Sequence, residues 1–162
     1  SSPAADNDFR AMARNIYRFT SDNGIDWTRD EEPAVVATET HRSIVYPHVV
    51  DNDGTHTMWY GCHIEGGLFE LFTSTSADGL QWTHHFDKSA FPAIRDPDCF
   101  DGRYTSTPCV LDDGDRYLLY YSARDMGNVY GAGDGTLRAD SDGIYRHIGV
   151  AIYDKGGCII TK

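Results

Sequence analysis

Two nearly identical octapeptides stand 55 residues apart in this chain of 162 residues: TSDNGIDW at residues 20–27 and TSADGLQW at residues 75–82. Each follows a run rich in aromatic residues, IYRFT or FELFT, which is typical of a β-strand. A glycine in each octapeptide, Gly24 or Gly79, permits the positive φ of a tight turn. The repeated unit is therefore predicted to be a β-hairpin whose final tryptophan fills the gap between neighbouring sheets.

A second pair of segments repeats a different pattern. The runs VYPHVVDNDGTHTMWYG at residues 45–61 and STPCVLDDGDRYLLYYS at residues 106–122 each contain an apolar strand, an acidic turn with glycine and an aromatic strand. Pro47 in the first run corresponds to Pro108 in the second, and the aromatic pair WY corresponds to YY. Proline is tolerated at the start of a strand because it need not donate to the ladder there. This unit is also predicted to be a hairpin.

The two hairpin types alternate along the chain, and a final run, HIGVAIYDKGGCII from His147, resembles the beginning of another hairpin of the first type. One hairpin of each type makes a four-stranded antiparallel meander of about 60 residues, and repeated meanders are the blades of a β-propeller. The sequence thus predicts an all-β fold of about two and a half blades over residues 16–162. Residues 1–15 are predicted to be disordered or loosely ordered.

Two and a half blades are about half of a five-bladed propeller, and an open array of blades leaves sheet faces and edges exposed. Three arrangements remain open. The chain is part of a longer protein, a second copy completes the ring through a two-fold axis, or the three sheets pack in an open form. The half-integral count favours a homodimer.

Composition and charge exclude several classes of partner. Acidic residues outnumber basic residues by 25 to 14, a formal net charge of −11, which argues against nucleic acid or an anionic membrane. No apolar run approaches the length of a membrane span. The four cysteines show no CxxC spacing, so no zinc site is predicted, and no nucleotide-binding fingerprint indicates a cofactor. Cys62 and Cys109 lie in or beside apolar runs and are expected to be buried free thiols.

The hairpins resemble those of the five-bladed β-propeller glycosidases, which are glycoside hydrolase families 43, 32, 62, 68, 117 and 130. The similarity is carried by SADGLQW at residues 76–82, FDGRYTSTPCVLDDGDRYLLYYSA at residues 100–123 and YRHIGVAIYD at residues 145–154, and it covers most of residues 16–160. It implies glycoside hydrolysis by acidic residues at the starts of the innermost strands, around a central funnel. That chemistry needs one carboxyl group to protonate the leaving oxygen and another to attack or to activate water.

The resemblance implies three catalytic acids just before the predicted innermost strands. Glu39 precedes the first of these strands, and Asp96 and Asp101 precede the second. The triplet Arg95-Asp96-Pro97 is identical to the RDP triplet of family 32, where the aspartate binds sugar hydroxyls and stabilises the transition state. Here the run DCFDGR separates the triplet from the strand. For each acid the alternative is a solvated loop residue or an Asx turn.

Five further polar residues lie at the same predicted end of the strands. His41 and Arg42 flank the first innermost strand, His63 follows the WYGC strand, and Arg124 and Asp125 follow the YYSA strand. Such residues offer bidentate hydrogen bonds to vicinal hydroxyls, so they are candidates for sugar binding, although each singly could be an ordinary loop side chain. The sequence predicts a glycoside hydrolase-like protein with a carbohydrate ligand. The alternative is a non-catalytic module that binds a saccharide or a protein partner.

Overall fold

The computed structural model describes residues 13–64, 68–96, 98–125, 129–131, 137–139, 147–155 and 159–161. These residues contain no helix, and thus none that is long and apolar enough to cross a membrane. Their strands in chain order are β1 (Phe19–Thr20), β2 (Thr28–Arg29), β3 (Arg42–Asn52), β4 (Thr55–Ile64), β5 (Leu68–Ser76), β6 (Thr83–His84), β7 (Tyr104–Asp112), β8 (Arg116–Arg124), β9 (Val129–Gly131), β10 (Leu137–Ala139), β11 (His147–Asp154) and β12 (Ile159–Thr161).

Two four-stranded antiparallel meanders form the centre of the fold, as the sequence predicts. Strands β3, β4, β5 and β6 make blade I, and strands β7, β8, β11 and β12 make blade II. One parallel bridge, from Phe69 of β5 to Tyr104 of β7, joins the two blades. Strands β3 and β7 lie close together as the innermost strands, and β9 pairs with β10 apart from this sheet.

Residues 13–35 repeat the outer two strands of a blade and are called the N-terminal half-blade below. Strand β1 pairs with β2 across the first octapeptide as β5 pairs with β6 across the second. Ile16 forms an isolated bridge with Val35, and Leu71 forms the matching bridge with Phe91. The described chain therefore consists of one outer half-blade and two full blades.

The segment predicted to be disordered, residues 1–15, lies mostly outside the described residues. Its last residues are tied to the fold. The carbonyl of Arg14 accepts a hydrogen bond from the amide of Ile44 at 3.1 Å, and Asn15 Oδ1 accepts one from the amide of Ala37 at 2.9 Å. The bond to Ile44 of β3 attaches the start of the half-blade to blade I, and the bond to Ala37 holds the chain that follows Val35.

The octapeptides form the predicted turns through side-chain acceptors. In the second copy, Ser76 Oγ accepts from the amide of Gly79 at 2.8 Å, and Asp78 Oδ1 accepts from the two following amides at 2.8 and 2.9 Å. Asn23 makes the corresponding pair of bonds in the first copy. The turn glycines have φ near +70°, a region that glycine adopts readily.

The two octapeptide tryptophans differ in burial. Trp82 packs partly buried against the core beneath blade I, as predicted, whereas Trp27 is 60% exposed. The prediction that each tryptophan fills a gap between sheets is therefore wrong for Trp27. The reason is positional, because the N-terminal half-blade covers Trp82 and the described residues place no further blade over Trp27.

Two apolar cores separate the three units. One lies between blades I and II, and the other lies between the N-terminal half-blade and blade I. The buried members of the first are Trp59, Leu71, Phe91, Val110, Leu119, Tyr121, Ala123, Ala151 and Tyr153. Those of the second are Ile16, Val35, Ile44, Met58, Tyr60, Cys62 and Phe72. Blade I thus buries a different set of side chains on each of its two faces.

The cysteines bear out one expectation and correct another. Cys62 is a buried free thiol, and burial raises its pKa to about 12. Cys109 is also free but exposed. Its neighbour Val110 points into the core between the blades, so strand alternation turns Cys109 to the opposite face.

Candidate functional site

One edge of the two blades gathers the starts of the innermost strands and the ends of the second strands, and is called the funnel edge. The hydrogen-bond register places Arg42 opposite His63, His63 opposite Phe69, Phe69 opposite Tyr104, and Tyr104 opposite Arg124. These five residues form a single row across both blades. Three of the predicted sugar-binding residues are therefore aligned at one edge.

Tyr104 is the centre of this row. Its buried ring lies 5.6 Å from the ring centroids of both His63 and Phe69. The guanidinium carbons of Arg103 and Arg124 lie 5.3 and 5.0 Å from the centroid of Tyr104. Cation–π attraction and ring packing hold these polar side chains in place, so the row combines a structural role with a polar surface.

A cleft of ≈ 520 Å³ opens at the funnel edge beside the start of β5. Its volume lies within the range of about 300–1,000 Å³ that is usual for small-molecule sites. Of the eight residues predicted to form the site, His41 is the one that lines the cleft in the described part of the chain. The full lining comprises Thr40, His41, Ile64, Glu70, Phe72, Phe86, Asp87, Ser89 and Arg95.

Glu70 supplies a buried carboxylate at the wall of the cleft. Its Oε1 accepts hydrogen bonds from the amide of Ala93 and from Arg95 Nη2, both at 3.3 Å. Charged side chains are rarely buried unless they are paired, and this pairing meets that condition. Glu70 was not among the residues predicted from the sequence, although it is the one charged residue in the strand LFELFTSTS.

His41 forms an aromatic wall of the cleft. Its ring centroid lies 4.7 Å from that of Phe86, with planes inclined at 31°, and 5.0 Å from that of Phe72, edge to face. Its Nδ1 lies 3.0 Å from Thr40 Oγ1. Burial lowers the pKa of His41 below its ordinary value of 6.5, so the ring is neutral at pH 7 and offers an apolar face with polar edges.

Asp101 lies in the interior below the funnel edge. It is fully buried, and its Oδ2 accepts a hydrogen bond from the hydroxyl of Tyr121 at 2.9 Å. Burial raises the pKa of Tyr121, and the bond to Asp101 adds to the increase. The ring of Tyr121 lies directly against Gly149, where a Cβ would be 2.3 Å from Tyr121 Cζ. The absence of a side chain at Gly149 therefore permits the contact that fixes Asp101.

The remaining predicted residues lie away from the lining of the cleft. Glu39 is exposed in the bend before β3. Asp96 is exposed, and its Oδ1 accepts from the amide of Asp98 at 2.9 Å, which is the Asx turn that was the alternative reading. Asp125 is half-buried just after β8. In the described ranges, no group of three or more His, Cys, Asp or Glu residues could hold a metal ion.

Comparison with solved structures shows similarity to β-propeller glycoside hydrolases. Zg3597, a family 117 glycoside hydrolase from the marine bacterium Zobellia galactanivorans, matches 91% of this chain and 41% of its own at 18% identity and a TM-score of 0.69. CoXyl43, a family 43 β-xylosidase/α-arabinofuranosidase from a compost metagenome, matches 91% of this chain and 38% of its own at 17% identity and a TM-score of 0.55.

The family 32 β-fructofuranosidase BmSUC1 of Bombyx mori matches 84% of this chain and 26% of its own, at 14% identity and a TM-score of 0.56. This chain thus spans about two fifths or less of the length of these three proteins. At such low identity the similarity shows the propeller fold alone, so any function has to be argued from the residues of the site. No protein-family model and no curated protein matches the sequence.

Proposed function

We propose that this chain is a carbohydrate-active, glycoside hydrolase-like protein whose saccharide site is the cleft at the funnel edge. The observation that carries the proposal is the convergence of a buried carboxylate, an exposed arginine and a pair of rings in contact on one cavity. Carboxylate and guanidinium groups suit vicinal hydroxyls, and aromatic rings suit the apolar face of a sugar. The fold of the three glycoside hydrolases supports the same assignment.

Hydrolysis needs two carboxyl groups about 5–10 Å apart across the bound sugar. Asp96, Asp101 and Glu39 remain our proposal for the acidic residues on the grounds of the resemblance. Asp87 joins them, because it lines the cleft. The buried, tyrosine-bonded state of Asp101 and the Asx turn of Asp96 favour the second candidate function, a non-catalytic module that binds a saccharide or a protein partner.

Activity on a panel of aryl furanosides and pyranosides distinguishes the two functions. If the chain is a hydrolase, loss of a catalytic acid or base through Asp87→Asn, Asp96→Asn or Asp101→Asn is expected to lower kcat/KM by about 100-fold or more. Asp113→Asn, on the exposed turn between β7 and β8, is the matched control. Saccharide binding without turnover by the wild-type chain would establish the non-catalytic function instead. A wild-type chain that neither binds nor hydrolyses any saccharide of the panel would refute the proposal.

A homodimer is also proposed, through the outer face of blade II, which consists of Leu111, Tyr120, Ile148 and Val150. All four side chains are exposed. Leu111 and Ile148 correspond by register to Val50 and Leu71 of blade I, which pack in the core between the blades. By register Tyr120 corresponds to Trp59, which is buried. The outer face of blade II therefore has the apolar character of a surface that receives another unit.

The opposite end of the array is apolar too, since Phe19, Ile25 and Trp27 are exposed on the N-terminal half-blade. A second copy supplies both surfaces, so we expect each copy to place the outer face of blade II on the N-terminal half-blade of the other, about a two-fold axis. Each copy would bring the same outer half of a blade, so the contact joins faces and does not assemble a fifth blade from two halves.

Solution mass measures this association. The wild-type chain is expected to have the mass of a dimer, and Ile148→Asp, which places a charge on the outer face of blade II, is expected to be monomeric. Asp113→Asn again serves as the control and should leave the mass unchanged. A monomeric wild-type chain at the highest concentration tested would contradict the homodimer.

A further inference from the structure

The cleft contains an ion pair that joins a buried group to an exposed one. Glu70 is only 2% exposed, whereas the side chain of Arg95 is 60% exposed and lines the cleft. The guanidinium carries five N–H donors, and the bond to Glu70 engages its Nη2. The Glu70 carboxylate thus holds one end of the Arg95 guanidinium, and the rest of this group lines the cleft.

The internal repeat shows whether the fold requires the negative charge of Glu70 or only its acceptor oxygen. Asn15 occupies the same place in the N-terminal half-blade as Glu70 does in blade I. Asn15 immediately precedes Ile16, which bridges to Val35, and Glu70 immediately precedes Leu71, which forms the matching bridge to Phe91. Asn15 Oδ1 accepts from the amide of Ala37 at 2.9 Å, as Glu70 Oε1 accepts from the amide of Ala93. A neutral amide oxygen is therefore sufficient for this backbone contact. The negative charge at Glu70 is additional, and its partner is Arg95.

The backbone of Arg95 is fixed as well. Its φ is +64°, in the left-handed region that residues other than glycine rarely adopt. Its amide donates to the carbonyl of Gly102 at 2.8 Å. Such strained conformations persist where the surroundings over-determine them, and they concentrate at binding and catalytic sites. Arg95 is thus held at both its backbone and its guanidinium before any ligand arrives.

The charges of the cleft indicate the class of ligand. Glu70 offsets the charge of Arg95, Asp87 adds a further carboxylate, and the ring of His41 is neutral at pH 7. A carboxylate or sulfate on the ligand would face this excess of negative charge. The rings of His41 and Phe86, packed together with their planes inclined at 31°, present an apolar surface. These features together favour an uncharged sugar.

Building on the proposed function, we propose that Arg95 is the anchor for the hydroxyl groups of an uncharged sugar and that Glu70 is the positioning residue that holds it. A guanidinium pinned in one orientation loses less freedom on binding than a mobile one. The role assigned to Glu70 is exerted through Arg95, so removal of its charge should matter only while Arg95 is present.

The test compares Glu70→Gln, Arg95→Ala and the double variant of the full chain by calorimetric titration. The neutral probes are xylotriose and arabinotriose, and the charged probe is trigalacturonate. Glu70→Gln keeps an acceptor for Ala93, so we expect a melting temperature within about 4 °C of the wild type. Its affinity for the neutral probe that the wild type binds is expected to fall about tenfold, because the neutral amide holds the guanidinium of Arg95 less strongly than the carboxylate does.

Arg95→Ala is expected to weaken binding at least as much, and the double variant should bind no more weakly than Arg95→Ala alone. Asp113→Asn, which breaks an exposed ion pair with Arg116, is the matched control and should bind normally. Additive losses, or unchanged affinity in Glu70→Gln, would overturn the positioning role while leaving the proposed function intact.

Tighter binding of trigalacturonate than of the neutral probes would overturn the ligand class. If Glu70→Gln failed to fold, an amide oxygen would not suffice at this place, and the premise taken from Asn15 would be refuted. Absence of binding to every probe by the wild-type chain would instead refute the proposed function itself, and this inference with it.

Discussion

Leu71→Ala is expected to lower the free energy of unfolding by about 2–5 kcal/mol, whereas Ile148→Ala should change it by less than about 1 kcal/mol. The two residues occupy the same place in successive blades, because Leu71 pairs with Gly61 of β4 and Ile148 pairs with Ser122 of β8. Leu71 is 0% exposed in the core between the blades, and Ile148 is 82% exposed. The difference between two aliphatic residues thus arises from the presence of a neighbouring blade.

Urea unfolding followed by far-ultraviolet circular dichroism measures both effects, with Leu71→Ile as the volume-conserving control. The experiment belongs at a protein concentration where the chain is monomeric. Equal losses for Leu71→Ala and Ile148→Ala there would mean that the packing order of the blades is wrong. A loss for Ile148→Ala that appears only as concentration rises is the result that the proposed homodimer requires.

The hairpins could be predicted from the sequence because each rests on local chemistry. A glycine at positive φ and a serine or aspartate that accepts turn amides are needed at fixed offsets, and both are legible in TSADGLQW. The blade count followed from the order of these hairpins. The exposure of Trp27 could not be predicted in the same way, because the burial of this side chain depends on a neighbouring blade and not on the turn itself.

The direction of the side chains along the innermost strands β3 and β7 was harder to predict from the sequence, because both strands contain irregularities. The register of β3 shifts near Tyr46, and that of β7 shifts between Ser106 and Cys109. Tyr46 and Thr107, each just before a proline, have φ of +59° and +51°. A bulge inserts an extra residue, so the alternation of inward and outward side chains cannot be followed through it. Cys109, which was expected to be buried because it lies beside an apolar run, directly follows the irregularity in β7.

The residues that the sequence predicts for the site and the residues that line the cleft overlap only at His41. Strand ends identified the funnel edge, which is why Arg42, His63 and Arg124 fall in one row. Glu70 stands inside a strand, and no rule based on strand ends selects it. The role proposed for Glu70 depends on the loop that returns to β5, because this loop brings Arg95 to the Glu70 carboxylate. The two residues are 25 positions apart in the chain.

Alkaline pH is expected to unfold this protein through groups that are buried in their protonated form. Burial raises the pKa of Cys62 from 9.0 to about 12 and that of Tyr60 from 10.0 to about 12. Burial also raises the pKa of Tyr121 and Tyr153 well above 10. All four are neutral when protonated, and removal from water disfavours the thiolate or phenolate.

The sign follows from the protons that each state binds. Below pH 9 both states keep all four protons, so the stabilisation is fully present. Above pH 9 for the thiol and above pH 10 for the phenols, the unfolded chain loses protons that the folded chain retains, and the free energy of unfolding falls. Each tyrosine contributes a slope of about 1.4 kcal/mol per pH unit. Three together are expected to remove a typical stability of about 5–15 kcal/mol within a few pH units above 10.

The ultraviolet absorbance of tyrosinate, recorded with circular dichroism across the same pH series, tests this coupling. Tyr60, Tyr121 and Tyr153 should ionise only together with the loss of strand signal. Tyr46→Phe removes an exposed phenol and serves as the control that leaves the unfolding pH unchanged. Complete ionisation of all tyrosines near pH 10 in a chain that keeps its native dichroism would contradict the burial of these three rings. It would also contradict the packing between the blades, because Tyr121 and Tyr153 both belong to that core.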